Sequence, residues 1–168
     1  MTQEKYIKYF LNAQAGVIRV ECLEISHSAF SRVYRVERNI VGGVTVCHED
    51  GQKAHYEYYP LQIENLGARN DLDCGLLVNL GDLGSLVAPE LEAVLACDAI
   101  LEKPLLTYRS YRSDDYATVM DGPRRLEIRQ ISYNSEGCSF EAKAQSLNIN
   151  STGELYTLDR FPSLRGFL

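Results

Sequence analysis

Tryptophan is absent from the 168 residues, methionine occurs twice and histidine three times. No two cysteines stand as C-x-x-C, no stretch repeats, and none is of low complexity. No apolar run reaches the roughly 18 residues that a membrane helix needs, so stable membrane insertion is not expected. Cys22, Cys47, Cys74, Cys97 and Cys138 are odd in number and evenly spread. That pattern indicates free buried thiols in a reducing compartment rather than a disulfide framework. The opening MTQEKYIKYF has the features of neither a signal peptide nor a transit peptide. Synthesis and first residence in the cytoplasm are therefore expected. Basic residues are also few, 17 against 23 acidic, for a net charge of −6. This argues against specific nucleic-acid binding through a basic face.

What is present is ordinary globular material, 45% hydrophobic and 24% charged. The length favours one domain with room for a long arm, and a core can form without staples. The clearest signal is RRLEIRQISYNSEGCSFEAKAQS, Arg124 to Ser146. Cys138, Phe140, Ala142 and Ala144 alternate with Ser139, Glu141, Lys143 and Gln145, which predicts a half-buried strand. Asn134 to Gly137 fits the loop of a hairpin, with Gly137 free to take positive φ. In the first run Leu126 and Ile128 share a face but Ile131 and Tyr133 take the other. A bulge near Gln130 would realign them.

Upstream, Val17–Ile25 is expected as a strand with Ile18, Val20 and Cys22 inward and Arg19 and Glu21 outward. Its phase slips at Leu23, which suggests a bulge or the strand's end. Arg32–Arg38, with Tyr34 and Val36 inward, follows the turn at His27–Phe30. Val44–His48 and Lys53–Tyr59 flank Asp50-Gly51, a strong hairpin signal. Tyr56, Tyr58 and Tyr59 are strand formers placed at a surface. Leu61–Glu64, Leu72–Leu80 and Leu105–Arg112 complete about nine strands. Short helices are expected at Thr2–Asn12 and, behind Pro89 at a first helical position, near 85–98. The fold class expected is mainly β, an antiparallel barrel or sandwich with one or two short helices.

Candidate chemistry is thin. Cys47, His48 and His55 come near each other in a hairpin, yet neighbours 47 and 48 point to opposite faces, so a metal site is not expected. Cys74 could serve as a hydrolase nucleophile, but no motif ties it to His27, and it shares a face with Leu76 and Val78. Gly81-Asp82-Leu83-Gly84 lacks the endings of phosphate loops. The carboxylate pairs Asp71 with Asp73 and Asp114 with Asp115 match no calcium loop.

The last segment differs. Asn148 to Gly153 forms a polar hinge. Beyond it Leu155, Tyr156, Leu158, Phe161, Leu164, Phe167 and Leu168 follow without a clean period. The division expected is a β domain over 1–147, carrying the helical insertion, and a docking arm over 148–168. Those seven apolar residues are the candidate interface.

Three blocks carry a resemblance: HSAFSRVYRVERN, YYPLQIENLGARNDLDCGLLVNLGDLG and LYTLDRFPSLRGFL. As a set they resemble a family of uncharacterised tail proteins of long-tailed bacteriophages, usually encoded just after the tape-measure protein. More distantly, Pro60–Ile63, Leu76–Leu80, Leu105–Arg112 and the Arg124–Ser146 hairpin are similar to the amino-terminal part of the phage lambda minor tail protein L family. The resemblance implies a structural, non-enzymatic tail-tip hub of β-barrel type, between the tail tube and the central tip protein. It implies a homo-oligomeric ring, a trimer before a hexamer. Its neighbours would be the distal tail and central tip proteins, with the tape-measure protein as a further contact. The virion tail tip would be its location, after assembly in the host cytoplasm. A distal tail ring and a tail-assembly chaperone are the alternatives, ahead of a cysteine hydrolase. The lambda family's cysteine cluster, which implies an iron–sulfur centre, has no counterpart up to Leu168, so no cofactor is expected.

Overall fold

Strict alternation of apolar and polar residues, repeated along the chain, builds a nine-stranded sheet. The structure, a computed structural model, describes residues 7, 9, 11, 16–66, 75–81, 90, 102–134 and 137–144. The strands are β1 (Arg19–Ser26), β2 (Tyr34–Glu37), β3 (Val44–Cys47), β4 (Lys53–Tyr58), β5 (Leu61–Leu66), β6 (Gly75–Leu80), β7 (Leu105–Arg112), β8 (Asp121–Asn134) and β9 (Gly137–Lys143). Their spatial order is β3-β4-β2-β1-β7-β8-β9-β6-β5. Each of the nine expected strands has its counterpart. The helix over Thr2–Asn12 is described only at Ile7, Tyr9 and Leu11, which are helical, and the one near 85–98 only at the helical Glu90. The rest of both lies outside the described residues, as do Asp71, Asp73, Cys74, Cys97 and everything after Ala144.

The sheet is mixed rather than wholly antiparallel, because β2 and β4 run parallel. The β3–β4 hairpin turns so that its second strand, not its first, lies against β2. Gly43, at φ 72°, lies in the turn that links β2 to β3, where its amide donates to the Ile40 carbonyl at 2.9 Å. Its missing side chain matters too, since a Cβ would lie 2.6 Å from the Tyr56 carbonyl.

Two apolar clusters fill the interior. The larger joins Leu23 and Ile25 of β1, Tyr34 and Val36 of β2, Leu106 and Tyr108 of β7, and inward residues of β5, β6, β8 and β9. Val36 and Leu61 are buried in this one cluster although their strands stand at opposite ends of the run β2-β1-β7-β8-β9-β6-β5. The sheet therefore curls round its own core. The smaller cluster joins Val20, Cys22, Val44, Val46, Ala54, Tyr56 and Tyr111.

These two cores explain the slip at Leu23. β1 pairs with β7 without interruption from Arg19↔Arg112 to Ser26↔Leu105, so there is no bulge and the strand does not end there. Val20 and Cys22 point to one core, Leu23 and Ile25 to the other, across the two faces of a single strand. Ile18 precedes the strand and is 48% exposed rather than inward, while Glu21 is buried rather than outward. Tyr56 is also no surface residue, being fully buried in the smaller core, whereas Tyr58 is exposed.

The bulge in β8 is present. Ile128 pairs with Ala142 and Gln130 with Glu141, leaving Arg129 as the extra residue. Ile131 thus regains the core side, opposite Phe140. Gly137 opens β9 at φ 135°, and a Cβ there would lie 2.3 Å from the Leu80 carbonyl. Gly137→Ala is expected to destabilise by more than about 1 kcal/mol, since strain and clash both oppose alanine. Chemical denaturation checks this; an unchanged midpoint would contradict the turn geometry.

Candidate assembly surface

Strands β1 and β7 carry charged residues on both faces, and those charges are paired within the chain. On one face Tyr108 donates to Glu21 at 2.8 Å, and Arg19 donates to the Tyr108 hydroxyl at 2.7 Å and to Asp121 at 3.0 Å. Arg38 forms an ion pair with Glu21. On the other face Arg109, only 6% exposed, donates to Glu49 at 3.0 Å, and Arg35 reaches Glu24 at 2.7 Å. Each face is thus apolar along one half of β1 and ionic along the other. Buried ion pairs of this kind contribute little net stability but strongly penalise loss of one partner. Arg112 is held likewise, by Asp114 at 2.6 Å. Asp115 accepts from the Ala117 and Thr118 amides, which is turn chemistry.

The β3–β4 hairpin is tied into the second network. Arg109 donates to the Tyr56 hydroxyl at 3.4 Å, and the same hydroxyl is hydrogen-bonded to His48 Nε2 at 2.9 Å. Burial, then the nearby Arg109 charge, lowers the pKa of His48. Folding therefore favours its neutral form. The resulting stability is present above the unfolded histidine pKa of about 6.5 and is lost as pH falls below it. Between pH 7.5 and 5.5, the melting midpoint of His48→Gln is expected to fall less than that of the parent. Equal falls would contradict the neutral, bonded imidazole. Burial opposes ionisation of Glu49, but the Arg109 hydrogen bond and charge outweigh it and lower its pKa, so Glu49 acts in a lower, carboxylate window. Glu37 is shifted the other way by burial, against the Asn39 and Ile40 amides that bond it. Burial also raises the Cys22 thiol, which makes it a poor nucleophile.

The segment between β6 and β7 is anchored at two described points. Glu90 accepts from the Ser31 amide at 3.0 Å, from the Ser31 hydroxyl, and from Tyr34 at 2.8 Å. The Ser31 hydroxyl first, then the other two donors, hold its carboxyl below the usual range. Glu102 accepts from Ser28 at 2.6 Å, and its carbonyl accepts from His27 Nε2 at 2.9 Å. The Ala29 amide donates to His27 Nδ1 at 3.0 Å, so both ring nitrogens serve the turn.

The two ends of the sheet are unequal. The first, β3, is covered at one point, where the Cys47 amide donates to the Tyr116 carbonyl at 2.9 Å. The other, β5, is six residues long and has no partner on its outer side among the described residues. Near its start lies a groove of about 630 Å³ across β5, β6 and β9, lined by residues that include Leu61, Gln62, Asn79, Leu80, Cys138 and Ser139.

The seven candidate interface residues, Leu155 to Leu168, lie outside the described residues. Cys47 and His48 do part company: His48 turns inward to Tyr56, while His55 bonds Thr45 at 3.1 Å. Among the described residues no three His, Cys, Asp or Glu side chains are arranged to hold a metal ion. Sequence reading missed the role of Arg109 and Arg112. They stand three apart in β7, so their charges fall on opposite faces of a strand that is buried along nearly its whole length.

The chain is therefore a mainly β domain built on one curled, mixed sheet. It belongs to the family described as a domain of unknown function, DUF1833, which matches residues 6–149. No curated protein matches it.

Proposed function

We propose that the chain is a structural component of a bacteriophage tail tip, a ring of hub or baseplate type that links the tail tube or distal tail ring to the central tip protein. The observation that carries this reading is the β5 edge, unpaired among the described residues, on a sheet whose charges along β1 and β7 are paired within the chain. A long unpaired edge is a liability on a monomer and an asset in a ring. The sequence blocks that resemble phage tail proteins supply the setting. The β-barrel hub type, a trimer or hexamer, and contacts to distal tail, central tip and tape-measure proteins belong to the same proposal. So does the arm 148–168, which begins near the end of the family match at residue 149.

Mass spectrometry of purified particles tests the reading. Peptides of this chain should be present at a copy number typical of tail-tip proteins. Abundance in infected cells with absence from particles would instead support the chaperone. Turnover of a peptide or ester panel, abolished by Cys74→Ala, would support the hydrolase.

A further inference from the structure

We propose that the groove across β5, β6 and β9 binds a neutral saccharide through Gln62, Asn79 and Ser139. These residues stand directly opposite one another, Gln62 with Asn79 and Asn79 with Ser139, on the face of the sheet turned away from the core. All three line the groove, while Leu61, Leu80 and Cys138 on the other face are buried. Two other polar pairs in such register bond each other, Glu24 with Arg35 and Thr45 with His55. Gln62, Asn79 and Ser139 form no hydrogen bond with one another or with any other described residue. The row continues with the exposed Ser132 of β8, opposite Ser139. Carboxamide and hydroxyl groups are thus held open, side by side, in a groove whose volume of about 630 Å³ is that of a small-ligand site.

The lining points to the class of ligand. Its one charged residue, Arg38, already pairs with Glu21, and it contains no carboxylate. The next row on the same face carries Glu64 and Glu141, of which Lys143 balances only the second. Anions are therefore disfavoured, and a cation finds no direct ligand in the groove. Gln62 and Asn79 each offer donors and an acceptor on one planar carboxamide, and Ser139 offers a hydroxyl that does both. Such groups match the hydroxyls of a sugar, which donate and accept in the same way. Adjacent strands place them about 4.8 Å apart, a span comparable to one sugar ring. The exposed Tyr58 and Pro60 also line the groove and offer apolar surface to the C–H face of a ring. A peptide is less well served. The main-chain groups beneath the groove are spent on the β5–β6 and β6–β9 ladders, so no strand can be added across it.

Arrays of neutral oligosaccharides, sialylated oligosaccharides and unstructured peptides, probed with the full chain, test this. At least one neutral oligosaccharide should bind, with saturation in a calorimetric titration. Gln62→Ala and Asn79→Ala should each weaken that binding by about tenfold, the effect of one lost hydrogen-bonding side chain, with the melting midpoint unchanged. Should either variant lose stability, Ser139→Ala provides the same comparison from β9. Glu57→Ala, outside the groove, should bind as the parent does. Failure of every neutral oligosaccharide to bind would overturn the proposal. Preference for sialylated oligosaccharides or peptides would overturn it too, as would equal affinity in the parent and all the groove variants. Presence or absence of the chain in virions leaves these outcomes unchanged, so this proposal and the structural role fail separately.

Discussion

Phe140→Ala is expected to destabilise the domain by about 3–5 kcal/mol, the range for deleting a large aromatic side chain from a packed core. Phe140 is 4% exposed and sits on β9 between Val78 of β6 and Ile131 of β8. It belongs to the larger core and stands where two strand pairs meet, so its loss leaves a cavity among close-packed side chains. For a chain of this size the melting midpoint should fall by on the order of 10 °C. The adjacent Glu141 faces the other way. Its contact is Lys143 at 2.8 Å, with side chains 25% and 39% exposed. Such a pair is screened by water, so Glu141→Ala should change stability by no more than about 0.5 kcal/mol. Equal losses at the two positions, measured by denaturant titration, would contradict the assigned faces of β9.

A chain ending at Asn150 is expected to fold and to fail in assembly. All nine strands lie before that point. Among the described residues, the core that curls from β2 to β5 is built from these strands and from residues packed against them. Circular dichroism should therefore show near-native β-sheet. Beyond the hinge, each Leu or Phe fully buried in a neighbour can contribute about 1.5–3 kcal/mol. Ordering the arm opposes this by about 1–2 kcal/mol per residue, so several anchors must dock together. Removing them all should abolish ring formation and give defective tail tips. An insoluble product would mean that the arm completes its own core. Infectious particles containing the truncated chain would contradict docking.

Strand positions were legible wherever one face met a core and the other met water. The β8–β9 hairpin shows this best, since even its bulge near Gln130 could be read from the side change between Ile128 and Ile131. β1 defeats the same rule because it serves two cores on opposite faces. Val20 with Cys22 and Leu23 with Ile25 look like a phase error only if one core is assumed. The parallel pairing of β2 with β4 depends on how a distant hairpin docks, which local periodicity does not encode. Arg109 was missed and Glu21 misread for a related reason. Their partners Glu49, Tyr108 and Arg38 are brought together by strand order rather than by sequence spacing. The place of β5 at the end of the described strand order was equally hidden, because edge position is a property of the whole sheet.

An averaged reconstruction of the tail tip of the phage that encodes this chain bears most directly on its proposed role. The expected result is a ring of three or six copies between the tail tube and the central tip protein. Each copy should fit the curled nine-stranded sheet. A tail tip fully accounted for by other proteins, with no density matching this sheet, would contradict the structural role.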